Sequence, residues 1–198
     1  MSKYLSSCLV VLAMLLCYSG CIESEHALSD PNSAELVPEL MGTWIQVPPE
    51  DPSVWTIAAA GDGFPKGMHR LTKIENGRIE GKLFFVSNIG DKHYANIANF
   101  EDDLSLPTTW QPKQIKHYTL IQFDVKDGTA KLFEIEEARI VAAIDKGELK
   151  GRVLEQPDFL EIAPQKRLSS PTLELQPYFS QNSAQLTGKA WLKYQKQK

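Results

Sequence analysis

Short runs of apolar and β-branched residues, separated by turn-forming residues, recur along most of the chain. They cover residues 44–47, 54–57, 69–74, 79–86, 93–97, 117–125, 131–135, 151–154 and 185–194. Asn76-Gly77 and Asp127-Gly128 each separate two of these runs, and such dipeptides favour tight hairpin turns. About eight or nine short strands joined mostly by close turns predict a mainly β fold, an antiparallel up-and-down meander that closes as a barrel. Alternating strand–helix units are absent from the pattern, which excludes a doubly wound fold.

The C-terminal half contains two interruptions of this alternation. Apolar residues from Ala138 to Ile144 have the spacing of a short amphipathic helix, which Gly147 ends. A second helix is expected from Pro171, because proline is favoured in the first helical turn. Pro177 should shorten that helix, since it cannot donate a helical hydrogen bond. The fold class therefore includes one or two short helices in the C-terminal half.

The first 21 residues have the pattern of an export signal. Lys3 gives a basic start, residues 9–16 form a short apolar run, and the small residues Ser19 and Gly20 precede Cys21. A helix needs ~20 apolar residues to span a bilayer, so this run is too short for a membrane span. A short apolar run between a basic start and small residues is typical of a secretory signal.

The three residues that end at Cys21 resemble the last three positions of the lipobox of bacterial lipoproteins. In that motif the cysteine is lipidated; Tyr18 stands where an aliphatic residue is usual. The resemblance implies that residues 1–20 are a signal peptide and that Cys21 anchors an exported protein to a membrane of the cell envelope. Ile22 follows in place of the Asp that retains some lipoproteins at the inner membrane, which favours the outer membrane. Plain secretion and an uncleaved anchor are the alternatives.

Composition and charge narrow the function classes further. All three cysteines lie at or before position 21, so the rest of the chain has no thiol for a disulfide, a catalytic nucleophile or a cysteine-based zinc site. The net charge of −4 argues against a nucleic-acid partner, which needs clustered Lys and Arg. Residues 21–38 are polar and rich in turn formers, which predicts a flexible tether. Residues 39–198 remain as one domain.

Gly42-Thr43-Trp44 resembles the Gly-X-Trp motif with which the first strand of lipocalins begins. In that family the Trp plugs the closed end of the barrel and the Gly permits a tight turn onto the strand. The resemblance implies these roles for Gly42 and Trp44 and a lipocalin-like barrel over 39–198. It also implies an Arg that packs on the Trp near the last strand, a position for which Lys189 or Lys193 would be only a loose substitute. The export signal, the tether and the barrel pattern together predict a small apolar ligand or an envelope protein as the partner.

Three histidines offer the clearest hypothesis of a metal site. His69, His93 and His117 recur at equal spacing, each in a predicted strand, so neighbouring strands would let them converge on a zinc-like ion. The alternative is that the repeat length of hairpins produces the spacing. Because no His-Glu-X-X-His motif accompanies them, we expect no metal site here.

No linear motif for catalysis is present. Serine never occurs in a Gly-X-Ser-X-Gly context, and the adjacent carboxylates Asp102 and Asp103 would point to opposite faces of a strand. We therefore expect a non-enzymatic protein without a cofactor. The alternative is an envelope hydrolase whose residues converge at the barrel mouth from separate strands.

Among the aromatic residues, Trp110 is the best candidate for an exposed contact. It lies in a loop between Pro107 and Pro112, whereas Trp44 and Trp55 begin successive strands and are expected in the core. For an aromatic ring in such a loop, folding over the core is nevertheless the more frequent outcome.

Overall fold

The computed structural model describes residues 22–47, 53–100, 106–154 and 166–197. Eleven strands and two α-helices lie in these ranges. The strands are β1 (Ile22–Ser24), β2 (Gly42–Gln46), β3 (Val54–Ala59), β4 (His69–Glu75), β5 (Arg78–Ile89), β6 (Lys92–Phe100), β7 (Ile115–Lys126), β8 (Thr129–Ile135), β9 (Gly151–Val153), β10 (Lys166–Leu168) and β11 (Thr187–Lys196). The helices are α1 (Glu137–Asp145) and α2 (Thr172–Leu186).

Eight of the strands form a closed antiparallel barrel. Their order is β2-β3-β4-β5-β6-β7-β8-β11, and β11 pairs back with β2. The predicted fold class, a mainly β meander that closes as a barrel with helices in the C-terminal half, is confirmed. One departure from a simple meander is that both helices, with β9 and β10, lie between β8 and β11 along the chain.

Two hairpin turns of the barrel follow directly from their dipeptides. Asn76 and Gly77 have φ angles of 50° and 73°, and Asp127 and Gly128 have φ angles of 50° and 72°. Positive φ at both central residues is the geometry of the turn that matches the twist of two antiparallel strands. Asn, Asp and Gly are the residues that adopt this conformation at least cost.

Successive side chains of the barrel strands point alternately inward and outward, and this alternation produces two separate apolar cores. One core fills the barrel interior and contains Leu40, Trp44, Ile57, Leu71, Phe84, Val86, Ile121, Phe123, Ala130, Leu132 and Tyr194. The other core lies on the outer wall and includes Leu83, Phe85, Tyr94, Ala98, Tyr118 and Leu120 from the strands, with Leu175, Phe179 and Leu186 of α2. Strands β5, β6 and β7 therefore contribute buried residues to both cores, and in β5 the buried residues run without a break from Leu83 to Ser87.

Residues 22–40 form a strap that runs along the outer wall and enters the barrel at Leu40. This arrangement differs from the flexible tether predicted for 21–38. Strand β1 pairs with β7 on one side and with β10 on the other. Ile22 is 4% exposed and Leu28 is fully buried. Burial of one Leu side chain stabilises the folded chain by about 1.5–3 kcal/mol, which a solvated tether would forgo.

Polar groups of the strap, from the backbone and from a side chain, are bonded to the barrel. The Leu28 N–H donates to Asn96 Oδ1 at 2.8 Å, and Asn96 Nδ2 donates to Ser87 Oγ at 2.8 Å. The hydroxyl groups of Ser29 and Ser87 lie 2.5 Å apart. A composition rich in Ser and Asp suggests solvation, but here the Ser29 hydroxyl bonds to the buried Ser87.

Helix α2 runs through Pro177, although a shorter helix was predicted there. The missing N–H leaves the carbonyl of Leu173, four residues earlier, without its helical bond. Leu173 is 84% exposed, so water can bond that carbonyl. The helix is held instead by its buried face of Leu175, Phe179 and Leu186.

Candidate functional site

Gly42 lies where the chain turns from the strap into β2. Its φ angle of +118° belongs to a region that side chains rarely adopt. A Cβ at this position would also lie 3.0 Å from Cε of Lys196. The backbone conformation therefore requires glycine here, whereas the contact with the flexible Lys196 side chain could be relieved by a small shift.

Trp44 lies two residues further on, inside the barrel. Its side chain is 1% exposed, and Nε1–H donates to the Leu40 carbonyl at 2.7 Å. Lys196 Nζ lies 5.5 Å from the centroid of the Trp44 ring and donates to the Glu39 carbonyl at 3.0 Å. This is a cation–π arrangement, in which the ring quadrupole attracts the ammonium group.

The basic residue over this ring was missed from the sequence. The sequence offers Lys189 and Lys193 as the basic residues to pack on Trp44, but both side chains are exposed. Lys196 takes the position because it pairs directly with Trp44 across β11 and β2. Only the register of the first and last barrel strands reveals the partner, and neither strand fixes that register by its own sequence.

The barrel interior retains an apolar cavity next to Trp44. Its volume is about 60 Å³. Its lining comprises Leu40, Trp44, Trp55, Ile57, Leu71, Phe84, Ala95, Ile97, Ile121, Phe123, Ala130, Leu132 and Tyr194. The rings of Trp55 and Tyr194 lie 4.2 Å apart between centroids. Burial raises the pKa of the Tyr194 hydroxyl well above its usual value, so this side chain stays neutral.

The size of the cavity limits what it can hold. Sites for drug-sized ligands usually have volumes of ~300–1,000 Å³, whereas an engineered apolar cavity of ~150 Å³ accepts benzene. A compact apolar molecule, or the end of a narrow chain, matches the space of about 60 Å³. A large lipid would need Trp55 or Tyr194 to move.

The three histidines at equal spacing do not converge. His93 lies opposite Phe123 on β7, whereas His117 lies opposite Asn99 on β6. Six residues of β6 separate these two levels, which is about 20 Å along a strand. His69 lies on β4, with β5 between it and β6. In the described part of the chain, no group of three potential metal ligands occurs.

Each histidine has a different environment. The Val37 N–H donates to His69 Nε2 at 3.2 Å, and the ring stacks on Phe84. Burial lowers the pKa of His69, because the protonated ring would lose its hydration. His93 Nδ1 lies 2.8 Å from Asn88 Oδ1 at an exposed site.

His117 lies beside an ion pair next to β1. Its Nε2 lies 3.5 Å from Glu23 Oε1, and Arg167 donates to Glu23 Oε2 from Nε at 2.9 Å and from an Nη group at 2.5 Å. The Arg167 side chain is 7% exposed. A nearly buried guanidinium with a bidentate carboxylate is a strong, directional pair, and here it joins the strap to β10.

Trp110 packs against the outer core and is only partly buried. The backbone N–H of Trp110 donates to the Gly63 carbonyl at 2.9 Å, so the loop that contains Trp110 lies against the turn at 61–63. A Cβ on Gly63 would lie 3.0 Å from the Thr109 methyl group. The Gly-Asp-Gly turn thus contacts a loop. Asp102 and Asp103 lie outside the described residues, as does Cys21.

An open groove lies on the outer wall beside the strap. It has a volume of about 510 Å³, and its lining includes Glu25, His26, Asp30, Tyr118 and Leu173. Arg152 Nε pairs with Glu25 Oε1 at 2.8 Å. Burial raises the pKa of Tyr118 to about 12. The groove is mixed in polarity and open to solvent, unlike the barrel cavity.

Comparison of the chain with models of protein families, with curated proteins and with solved structures finds no match. Neither helix in the described ranges has the length and apolar content to cross a bilayer.

Proposed function

We propose that this chain is an exported, lipid-anchored protein of the cell envelope that binds a small apolar molecule in a lipocalin-like barrel and catalyses no reaction. The apolar lining of the barrel cavity carries the proposal. Trp44 and Leu40 close one side of this cavity, and Trp55 with Tyr194 forms an aromatic wall. The surface that faces the cavity is entirely apolar, which favours an apolar ligand, because a polar one would lose its hydration without compensation.

The ligand should be compact. A cavity of about 60 Å³ favours a molecule with few heavy atoms or the end of a narrow chain. Specificity then comes from shape, since one extra methylene would have to displace a packed side chain.

Native mass spectrometry of the protein isolated from its own cells tests the ligand. We expect a small apolar molecule to accompany the wild type and to be absent from Ala95→Phe, whose ring would occupy the cavity. Ala58→Phe is the matched control, because Ala58 lies on the exposed outer wall of β3. Loss from both variants, or no small molecule on the wild type, would contradict the ligand proposal.

The lipid anchor is tested separately. Metabolic labelling with a fatty-acid analogue should label the wild type and Cys17→Ser but not Cys21→Ser. Cys17 follows two bulky leucines, so it makes a poor acylation site and a matched control. Fractionation should show Cys21→Ser released from the membrane, because the net charge of −4 gives no attraction to anionic lipid. Equal labelling of all three chains would refute the anchor.

A protein partner is the second candidate, favoured by an apolar row on the outer wall. Ile45, Val54, Ile74 and Ile79 lie directly opposite one another on four successive strands. Ile74 is 42% exposed and Ile79 is 75% exposed. Exposed apolar residues in one row are typical of a protein contact. The same spectra would then show a bound protein that Ile79→Lys loses and Thr72→Lys, on the same wall, keeps.

A further inference from the structure

The strap leaves no spacer between the proposed lipid anchor and the folded barrel. Cys21 is joined to Ile22 by one peptide bond, and consecutive Cα atoms are ~3.8 Å apart. Ile22 is already fixed, since it pairs with Leu120 of β7 and is 4% exposed. A flexible tether over residues 22–38 would instead allow an average separation of roughly 20–25 Å.

Several independent contacts hold the start of the strap on the barrel. Glu23 pairs with the nearly buried Arg167, and the Leu28 N–H bonds to the buried Asn96. Thr172 Oγ1 donates to the Ala27 carbonyl at 2.8 Å, which ties the strap to the first turn of α2. Detachment of this segment would expose Ile22 and Leu28 and leave buried polar groups without partners, so it is unfavourable.

The attachment point lies at a defined place on the barrel wall. Along one edge of β7, Leu120 pairs with Ile22 of β1, and Gln122 pairs with Phe133 of β8. The strap therefore starts in the notch where β8 ends its pairing with β7 and β1 begins. A lipid attached one residue before Ile22 must enter the bilayer beside this notch.

We propose that the anchor mounts the barrel directly on the bilayer, with the wall at the β1–β8 notch against the lipid headgroups. This inference rests on the proposed lipidation of Cys21 for its role in cells. The partner surface is the lipid bilayer that the anchor itself enters. The strap replaces what would be a long flexible connection with a short attachment at one defined place on the barrel.

Energy transfer from the four tryptophans to dansyl-labelled lipid headgroups tests the mount. The chain from Cys21 to Lys198 contains every contact described above, and Cys21 is its only cysteine. It is coupled through Cys21 to a maleimide lipid in phosphatidylcholine vesicles. The matched control carries twelve Gly and Ser residues between Cys21 and Ile22, which adds roughly 17–21 Å of average reach and leaves the strap intact.

We expect transfer in the chain without the insertion to exceed that in the control at least twofold, because transfer falls steeply with distance. Equal transfer in the two chains would overturn the rigid mount. Chemical coupling supplies the lipid, so this result does not depend on acylation in cells. If the fatty-acid label appears equally on the wild type and on Cys21→Ser, the proposed anchor is wrong. The short connection between residue 21 and the barrel would remain valid, because energy transfer measures it independently.

Discussion

Replacement of Trp44 by Ala should be among the most destabilising single changes in this chain. The ring is 1% exposed, and a buried Trp removes about 150–250 Å² from water. At ~25 cal/mol per Å² this burial contributes about 4–6 kcal/mol, an upper value because the unfolded chain also buries some surface. Truncation of core aromatic residues typically costs ~3–5 kcal/mol, and we expect a loss of ~4 kcal/mol.

Two further variants serve as comparisons: one keeps a ring at position 44, and the other removes a ring elsewhere. Trp44→Phe keeps an aromatic ring but removes the bond from Nε1 to Leu40, so it should cost about 1–2 kcal/mol. Trp110→Ala should cost a similar amount, because that ring is only partly buried on the outer core.

Urea unfolding of the three variants, followed by circular dichroism, measures these costs. The midpoint should fall most for Trp44→Ala with an unchanged slope, since the surface exposed on unfolding stays nearly the same. From a typical total stability of ~5–15 kcal/mol, a loss of ~4 kcal/mol would leave about 1–11 kcal/mol, so the midpoint should fall clearly. A larger loss for Trp110→Ala, or a silent Trp44→Ala, would refute the role of Trp44 as the plug of the barrel.

Three other predictions concern ionisation, metal and the strap. Burial raises the pKa of Tyr94 and of Tyr118 to about 12, whereas the unfolded chain ionises these groups near 10. The folded state should therefore lose stability as the pH rises from 10 towards 12. Urea midpoints measured across that range should fall less for Tyr118→Phe than for the wild type. Elemental analysis should find no stoichiometric zinc, copper or nickel; about one metal per chain, lost on His93→Ala, would overturn this. Gly67→Ala would place a Cβ against the backbone of Ala34, so limited proteolysis should cut residues 22–40 faster than in the wild type, and equal rates would contradict the tight packing of the strap.

The barrel was predictable because features of neighbouring residues in the sequence determine its turns and strand faces. Asn76-Gly77 and Asp127-Gly128 fix two turns, and alternation assigns the faces of the strands between them. Helix α1 was likewise predicted almost to its ends, from apolar spacing and from Gly147, whose φ angle is 74°.

The strap could not be predicted, because its stability comes from residues far along the chain. Ile22–Ser24 has no strand pattern of its own, and it becomes a strand through β7 and β10. Ser29 looks solvated in the sequence, yet its hydroxyl meets Ser87. The partner of Trp44 was missed for the same reason, since Lys196 is brought to the ring only by barrel closure.

Closure of the barrel by its final strand has a consequence for the order in which the chain folds. Strand β2 pairs with β11, so one of the earliest barrel strands waits for the last one to be synthesised. At ~5–20 residues per second that delay is roughly 7–30 s. Until β11 is inserted, β2 and β8 are open edges that can pair with other chains. A chain that ends after α2 should therefore aggregate during synthesis. Pairing of β11 with β2 and β8 is the event that completes the native barrel.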